Sequence, residues 1–283
     1  MTNSERRENR SIIRMSELAK TPSALGAWNE IERWNSNLSV EGLKPHLSAY
    51  QQFIQEPDSN GLLHTDRAFN RELYSSGGPL AIHVVGSTGV GKDETLKYMG
   101  IPWVLSDTER PQEARDSQGI TYNFILQEQM DESVKRGDLI EFTRVKYRDG
   151  KEYRYGTHKR RVHAMIESGA SIFAFRTNQD GFTPISRFCE EHGIPVIRVL
   201  MLPNCPALEY FVRVQQLRGP ERIATAKAEI QYTPDLYRIQ AVLGNPFDYI
   251  TGKPIRAAAA LGTWLTRTFD IRLPTPKDGV IYS

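Results

Sequence analysis

A short and almost wholly apolar run, Leu80-Ala81-Ile82-His83-Val84-Val85, leads directly into Gly86-Ser87-Thr88-Gly89-Val90-Gly91-Lys92, and Asp93-Glu94-Thr95 then opens a helical stretch through Met99. Such a continuous run is expected of a strand buried on both faces in a parallel sheet. The glycines at its end mark a turn. Strand, glycine-rich turn and helix, in that order, point to a phosphate-binding loop with the spacing G-x-x-x-x-G-K. Glycines let backbone N–H groups curl around a phosphate, the helix N-terminus adds positive potential, and the lysine bridges the terminal phosphates. Gly86, Ser87, Thr88, Gly89, Val90, Gly91, Lys92, Asp93 and Glu94 are the candidate phosphate- and nucleotide-binding residues. Asp93 stands where a Ser or Thr normally follows the lysine to hold Mg²⁺. An anion beside polyphosphate is unfavourable unless Mg²⁺ sits between them, where a carboxylate is a natural oxygen ligand, so Asp93 is the candidate metal ligand.

The 283 residues suffice for one large α/β domain or one domain with a helical appendage. No stretch approaches the roughly 20 apolar residues needed to span a bilayer, and 39% hydrophobic with 25% charged residues describes a packed core. A net charge of +2 gives no global field toward nucleic acid. Lys135 to Arg161 is rich in Lys and Arg, but its charges are interspersed and carry no reader motif. Cys189 and Cys205 are too few for a disulfide framework, His158 and His163 lack a third metal ligand, and the N-terminus has no apolar signal core. The expected compartment is the cytoplasm.

Apolar residues from Trp28 to Phe53 recur at mixed helical spacing and suggest two amphipathic helices. Ser75-Ser76-Gly77-Gly78-Pro79 reads as a junction. Beyond it, strands at Ile172 to Phe175 and Val196 to Leu202 alternate with helices at Gln127 to Arg136, Ile185 to His192 and Ala207 to Arg218, as in a helix-covered parallel sheet. A last small helix is expected from Ile255 to Leu265. The expected division is a helical N-terminal extension over 1–78, a phosphate-loop domain over 79–250 and a C-terminal extension over 251–283.

Ser106-Asp107-Thr108-Glu109-Arg110-Pro111, then Gly119-Ile120-Thr121-Tyr122-Asn123-Phe124, resemble the guanylate kinase segments S-x-T-x-R-P and G-x-x-Y-x-F. The likeness continues through Gly137 to Phe142, Tyr153 to Thr157, and Arg222-Ile223 with Ala226 and Glu229, covering residues 80 to about 232. It implies an α/β fold: a parallel β-sheet P-loop kinase core flanked by helices, with an acceptor-binding subdomain that contains a β-hairpin. It also implies that ATP with Mg²⁺ phosphorylates a nucleoside monophosphate, GMP-like. Ser106, Arg110, Tyr122 and Tyr155 would hold the acceptor's phosphate, and Glu141 and Thr157 would read its base. Thr177 occupies a further position associated with base recognition. Arg218 and Arg222 would neutralise charge on the moving phosphoryl group. Arg213 is a further cation near the same segment.

Three departures accompany the resemblance. Glu113 replaces a second phosphate-binding arginine, with Arg115 two positions on; Ile172 to Thr177 lacks the usual acidic residues; and only Pro220 and Glu221 separate Gly219 from Arg222, so the lid is cut to a turn. Asp180 lies close enough in sequence to serve near the metal, although a loop Asp is more often a turn residue. Two other classes remain open. One is a non-catalytic module that binds a phosphorylated ligand, against which the intact loop argues, and the other is a kinase for a different phosphorylated small molecule.

Residues 141 to 157 read as a hairpin, and its register decides whether the base-reading residues meet. A two-residue turn at Asp149-Gly150 would put Glu141 on the face opposite Tyr155 and Thr157. A three-residue loop, Arg148-Asp149-Gly150 with Gly150 left-handed, sets Glu141 across from Thr157. The second is the expectation.

Overall fold

The computed structural model describes residues 64–65, 78–113, 116, 118–147, 149–203, 210, 214, 222, 225–226, 229, 241–245 and 255–274. The two N-terminal helices expected between Trp28 and Phe53, and most of the one expected from Ala207 to Arg218, lie outside these residues.

The phosphate-loop strand is β2, Leu80–Gly86, and every residue of it is buried. Its even positions Leu80, Ile82 and Val84 join one apolar cluster, while Ala81 joins another on the opposite face. That double burial is why the run is apolar throughout, where a half-exposed strand would alternate. β2 pairs in parallel with β7, Ile172–Thr177, on one side and β8, Val196–Pro203, on the other. β9, Ala241–Asn245, continues the sheet in parallel beside β8, and β1, His64–Thr65, closes its edge antiparallel. The strand order is β1-β9-β8-β2-β7.

Helices cover both faces. α1, Lys92–Met99, and α5, Ile255–Phe269, share the first cluster, to which α5 contributes Ala257, Ala258, Leu261, Trp264 and Leu265. α5 is a core element of the sheet, so a boundary at residue 250 separates pieces of chain that pack as one. On the opposite face, α4, Phe182–Glu191, buries Ile185, Phe188 and Cys189 against Phe173, Phe175 and Val196, and α3, Lys159–Glu167, adds Val162.

A second sheet has the order β4-β3-β6-β5. β5, Leu139–Lys146, and β6, Glu152–His158, form the expected hairpin. Glu141 pairs with Thr157 and Lys146 with Glu152, the Tyr147 N–H donates to the Lys151 carbonyl at 2.7 Å, and Gly150 has φ 79. This is the three-residue loop with its last position left-handed, a conformation a Cβ disfavours. A register shift between Leu139 and Glu141 makes Ile140 a bulge that turns toward the second core cluster. β3, Ser106–Thr108, joins β6, and β4, Asn123–Phe124, borders β3. α2, Gln127–Arg136, follows with its expected limits. Among the described residues, no helix is long and apolar enough to cross a membrane.

Candidate active site

The phosphate loop connects β2 to α1, and its geometry follows from its glycines. Gly91 caps the start of α1 with φ 98, where a side chain would be strained. Lys92 is the first helical residue, and its Nζ donates to the carbonyls of Gly86 at 2.6 Å and Ser87 at 3.1 Å, inside the loop it serves. The Tyr210 hydroxyl lies 2.7 Å from the Ser87 hydroxyl and 2.5 Å from the Thr88 carbonyl, pinning the loop from a distant part of the chain. The Thr88 N–H donates to a Glu229 carboxylate oxygen at 2.5 Å, and Arg222 reaches the Thr88 hydroxyl at 3.2 Å. Burial raises the Glu229 pKa, against the opposing pull of Lys92.

A cleft of about 250 Å³ runs from this loop to the hairpin. At the loop end it is lined by Thr88, Gly89, Gly91, Lys92, Asp93 and Glu94, with Arg222 and Glu229 beside them. Gly86, Ser87 and Val90 are the buried side of the same turn. At the other end stand Ser106, Arg110, Tyr122, Glu141 and Tyr155, and Thr177 lines the cleft as well. Thr157 stands behind Glu141, 2% exposed, with its hydroxyl donating to the carboxylate at 2.7 Å. Burial raises the Glu141 pKa, opposed by that hydrogen bond. Arg213, Arg218 and Arg115 lie outside the described residues.

Arg110 is buried in an aromatic box, with its guanidinium carbon 5.1 Å from the Tyr122 and Phe124 ring centres and 5.6 Å from that of Tyr147. Its fork is bidentate on Asp116, at 2.6 and 2.9 Å. Glu113, at the position expected to carry a second arginine, accepts from the Tyr147 hydroxyl. Arg110 is thus a buried cation already paired with one carboxylate, and a second carboxylate, Glu113, stands where an arginine was expected. Burial is the main cause of a raised Tyr155 pKa, so the residue offers its phenol as a neutral donor.

Besides Asp116 and Tyr147 around Arg110, two further placements escaped the sequence reading. Arg176, at the end of β7, lines the cleft, donates to Asp93 at 2.5 Å and to the Thr121 carbonyl, and stacks over Trp103 and Tyr122. Its side chain is 4% exposed. The only signal for it was an arginine closing an otherwise apolar strand, which reads equally well as a strand end reaching water. His83, the one polar residue of β2, is fully buried, and its Nε2–H donates at 2.8 Å to the Thr177 hydroxyl, whose own proton goes to the Asn178 carbonyl. Asp180 stays exposed and touches Thr143 and Asn178.

The loop, its lysine and its surrounding amides fit a nucleotide polyphosphate. A protein-held divalent ion does not fit as well, since the Asp93 carboxylate expected to bind it accepts from the Arg176 guanidinium. Among the described residues no group of three His, Cys, Asp or Glu side chains is arranged to hold a metal.

Fold and cleft together define an α/β protein with a phosphate-loop motif between β2 and α1 and a second, four-stranded sheet across the cleft. No protein-family model matches the chain. It is 29% identical over 163 residues to the guanylate kinases of two strains of Tropheryma whipplei, covering 52% of this chain and 77% of each relative. It is 26% identical over 162 residues to the guanylate kinase of Streptomyces coelicolor, covering 53% of this chain and 76% of the relative. A solved guanylate kinase from Anaplasma phagocytophilum is 18% identical with a TM-score of 0.43, over 64% of this chain and 83% of that one. Through the curated relatives, the chain is related to the guanylate kinase family.

Proposed function

We propose that this protein transfers the γ-phosphoryl group of ATP to a nucleoside monophosphate, with a GMP-like acceptor. The observation that carries the reading is one cleft lined by Lys92 and its loop at one end and by Arg110, Tyr122, Tyr155 and Glu141 at the other. In this reading Lys92 and the loop amides hold the donor, and any Mg²⁺ accompanying ATP is carried on the phosphates. Ser106, Arg110 and the two tyrosines orient the acceptor phosphate, whose oxygen attacks the γ-phosphorus in line as the bond to the β-phosphate oxygen breaks. Arg222, with Arg218 from the sequence, offsets the charge that gathers on the moving group. Glu141, fixed by Thr157, accepts paired N–H groups of a guanine-like base. We assign the protein to the cytoplasm, acting on small-molecule nucleotides.

A second reading, a kinase for another phosphorylated acceptor, rests on Glu113 and on the bidentate Arg110–Asp116 pair. Both depart from the arginine pattern that the resemblance implies for a nucleotide acceptor. A panel of nucleoside and sugar monophosphates with ATP and Mg²⁺, read by ADP release, decides between the two. Turnover with GMP supports the first reading, and turnover with a sugar phosphate alone supports the second. ADP release with no acceptor in the panel refutes both.

A further inference from the structure

Arg176, the penultimate residue of β7, lies opposite Val84 of β2, two residues before the phosphate loop begins. Its guanidinium spans the two halves of the cleft: one nitrogen donates to Asp93, the residue after the loop lysine, and another donates to the carbonyl of Thr121, next to Tyr122 of the acceptor end. The rings of Tyr122 and Trp103 flank it, with centres 5.0 and 5.4 Å from the guanidinium carbon. The group is therefore held in place before any ligand arrives. Its Nε has no hydrogen-bond partner, and neither does the buried indole N–H of Trp103. An unpaired buried donor is costly, and of the two only Arg176 lines the cleft, where an incoming group would bring oxygens. A divalent cation seated on the same carboxylate would lie against a fixed guanidinium and be repelled by it. Phosphate oxygens would be attracted instead, and a planar fork suits them.

We propose that Arg176 is the resident cation for the donor's terminal phosphates in this chain, taking the place of a protein-held divalent ion, so that the site binds a nucleoside triphosphate without Mg²⁺. Asp93 is then a positioning residue that aims Arg176, and Lys92 supplies the second fixed charge. The inference rests on the donor half of the proposed function and goes beyond it by stating which cation the site uses.

Calorimetric titration of ATP into the full chain, in EDTA and in excess Mg²⁺, tests this directly. The wild-type dissociation constants in the two conditions are expected to agree within about threefold, and Arg176→Gln is expected to bind about tenfold or more weakly in EDTA, with Mg²⁺ recovering part of the loss. Arg176→Lys, which keeps the charge and loses the fork, is expected to fall between them. A wild-type affinity that drops about tenfold in EDTA overturns the inference while leaving the kinase reading intact, and this comparison stands even where the variants fail to fold. Loss of ATP binding in both conditions overturns the donor reading itself.

Discussion

Glu141 and Thr157 face each other across the β5–β6 hairpin, and the threonine hydroxyl donates to the carboxylate at 2.7 Å. Thr157 is buried and Glu141 half-buried in the cleft wall, and burial raises the carboxyl pKa although the hydroxyl opposes the rise. A carboxyl whose folded pKa lies above its unfolded value stabilises the fold at low pH and costs stability as pH rises through the folded pKa. Glu141→Gln is therefore expected to melt at a higher temperature than the wild type at pH 7.5 and at the same temperature at pH 4, while GMP binds about tenfold more weakly. Calorimetric melting at the two pH values, with an acceptor titration, checks both halves. An unchanged GMP affinity would remove Glu141 from base recognition.

Lys92→Ala removes the cation seated in the phosphate loop. A charge in a preorganised site is worth much more than one on a surface, so kcat is expected to fall by about a hundredfold or more. ADP release at saturating ATP measures it, and activity within about twofold of wild type would sink the kinase reading.

Glu229 holds the Thr88 N–H, an amide that the loop would otherwise offer to a phosphate oxygen. Its carboxylate competes with the donor and also faces Lys92 and Arg222. Glu229→Gln is expected to tighten ATP binding by about threefold to tenfold, since the competing charge is removed and an amide is a weaker acceptor. Equal affinities for the two proteins would show that the carboxylate yields at no cost.

Arg110→Ala exposes the two roles of one side chain. It leaves Asp116 buried without its bidentate partner, and losing one half of a buried pair typically costs about 3–5 kcal/mol. Urea unfolding is expected to show that loss even with no nucleotide present. The double variant Arg110→Met with Asp116→Leu should recover most of the stability while acceptor binding stays weak.

His83 is neutral in the fold because burial drives its pKa down to about 3, with Arg198 adding to the effect. The unfolded chain takes up a proton near pH 6.5 and the folded chain does not, so stability falls as pH drops below that value. Between pH 8 and pH 5 the expected loss from this residue is about 2 kcal/mol. Urea midpoints measured across that range should fall less steeply for His83→Gln.

The elements easiest to read were those whose burial is two-sided or whose turn is chemically marked. β2, β7 and β8 announce themselves as apolar runs, and Gly150 sets the hairpin register through its positive φ. β3 was not readable: Ser106-Asp107-Thr108 carries no apolar residue and is a strand because β6 offers it partners, a contact about fifty residues away in the chain. β1 is two residues long and has meaning only beside β9. Resemblance named side chains by motif spacing, several of which line the cleft, and passed over Arg176, Tyr147 and Asp116. Their roles arise from what the fold sets beside them, and no local pattern records that.

The sheet order has a consequence for how the protein comes into being. β9 completes the row beside β8, and α5 lays its apolar face on the cluster that also holds α1, the helix Lys92 begins. A nascent chain that has released its phosphate loop from the ribosome still lacks the strand and helix that cover that side of the sheet. Long-range pairing of this kind is slow, and surface left uncovered during synthesis invites aggregation. The phosphate loop after β2 therefore rests on a covered core only once β9 and α5 have emerged, and a chain truncated before Ile255 would carry the complete loop motif on an open core.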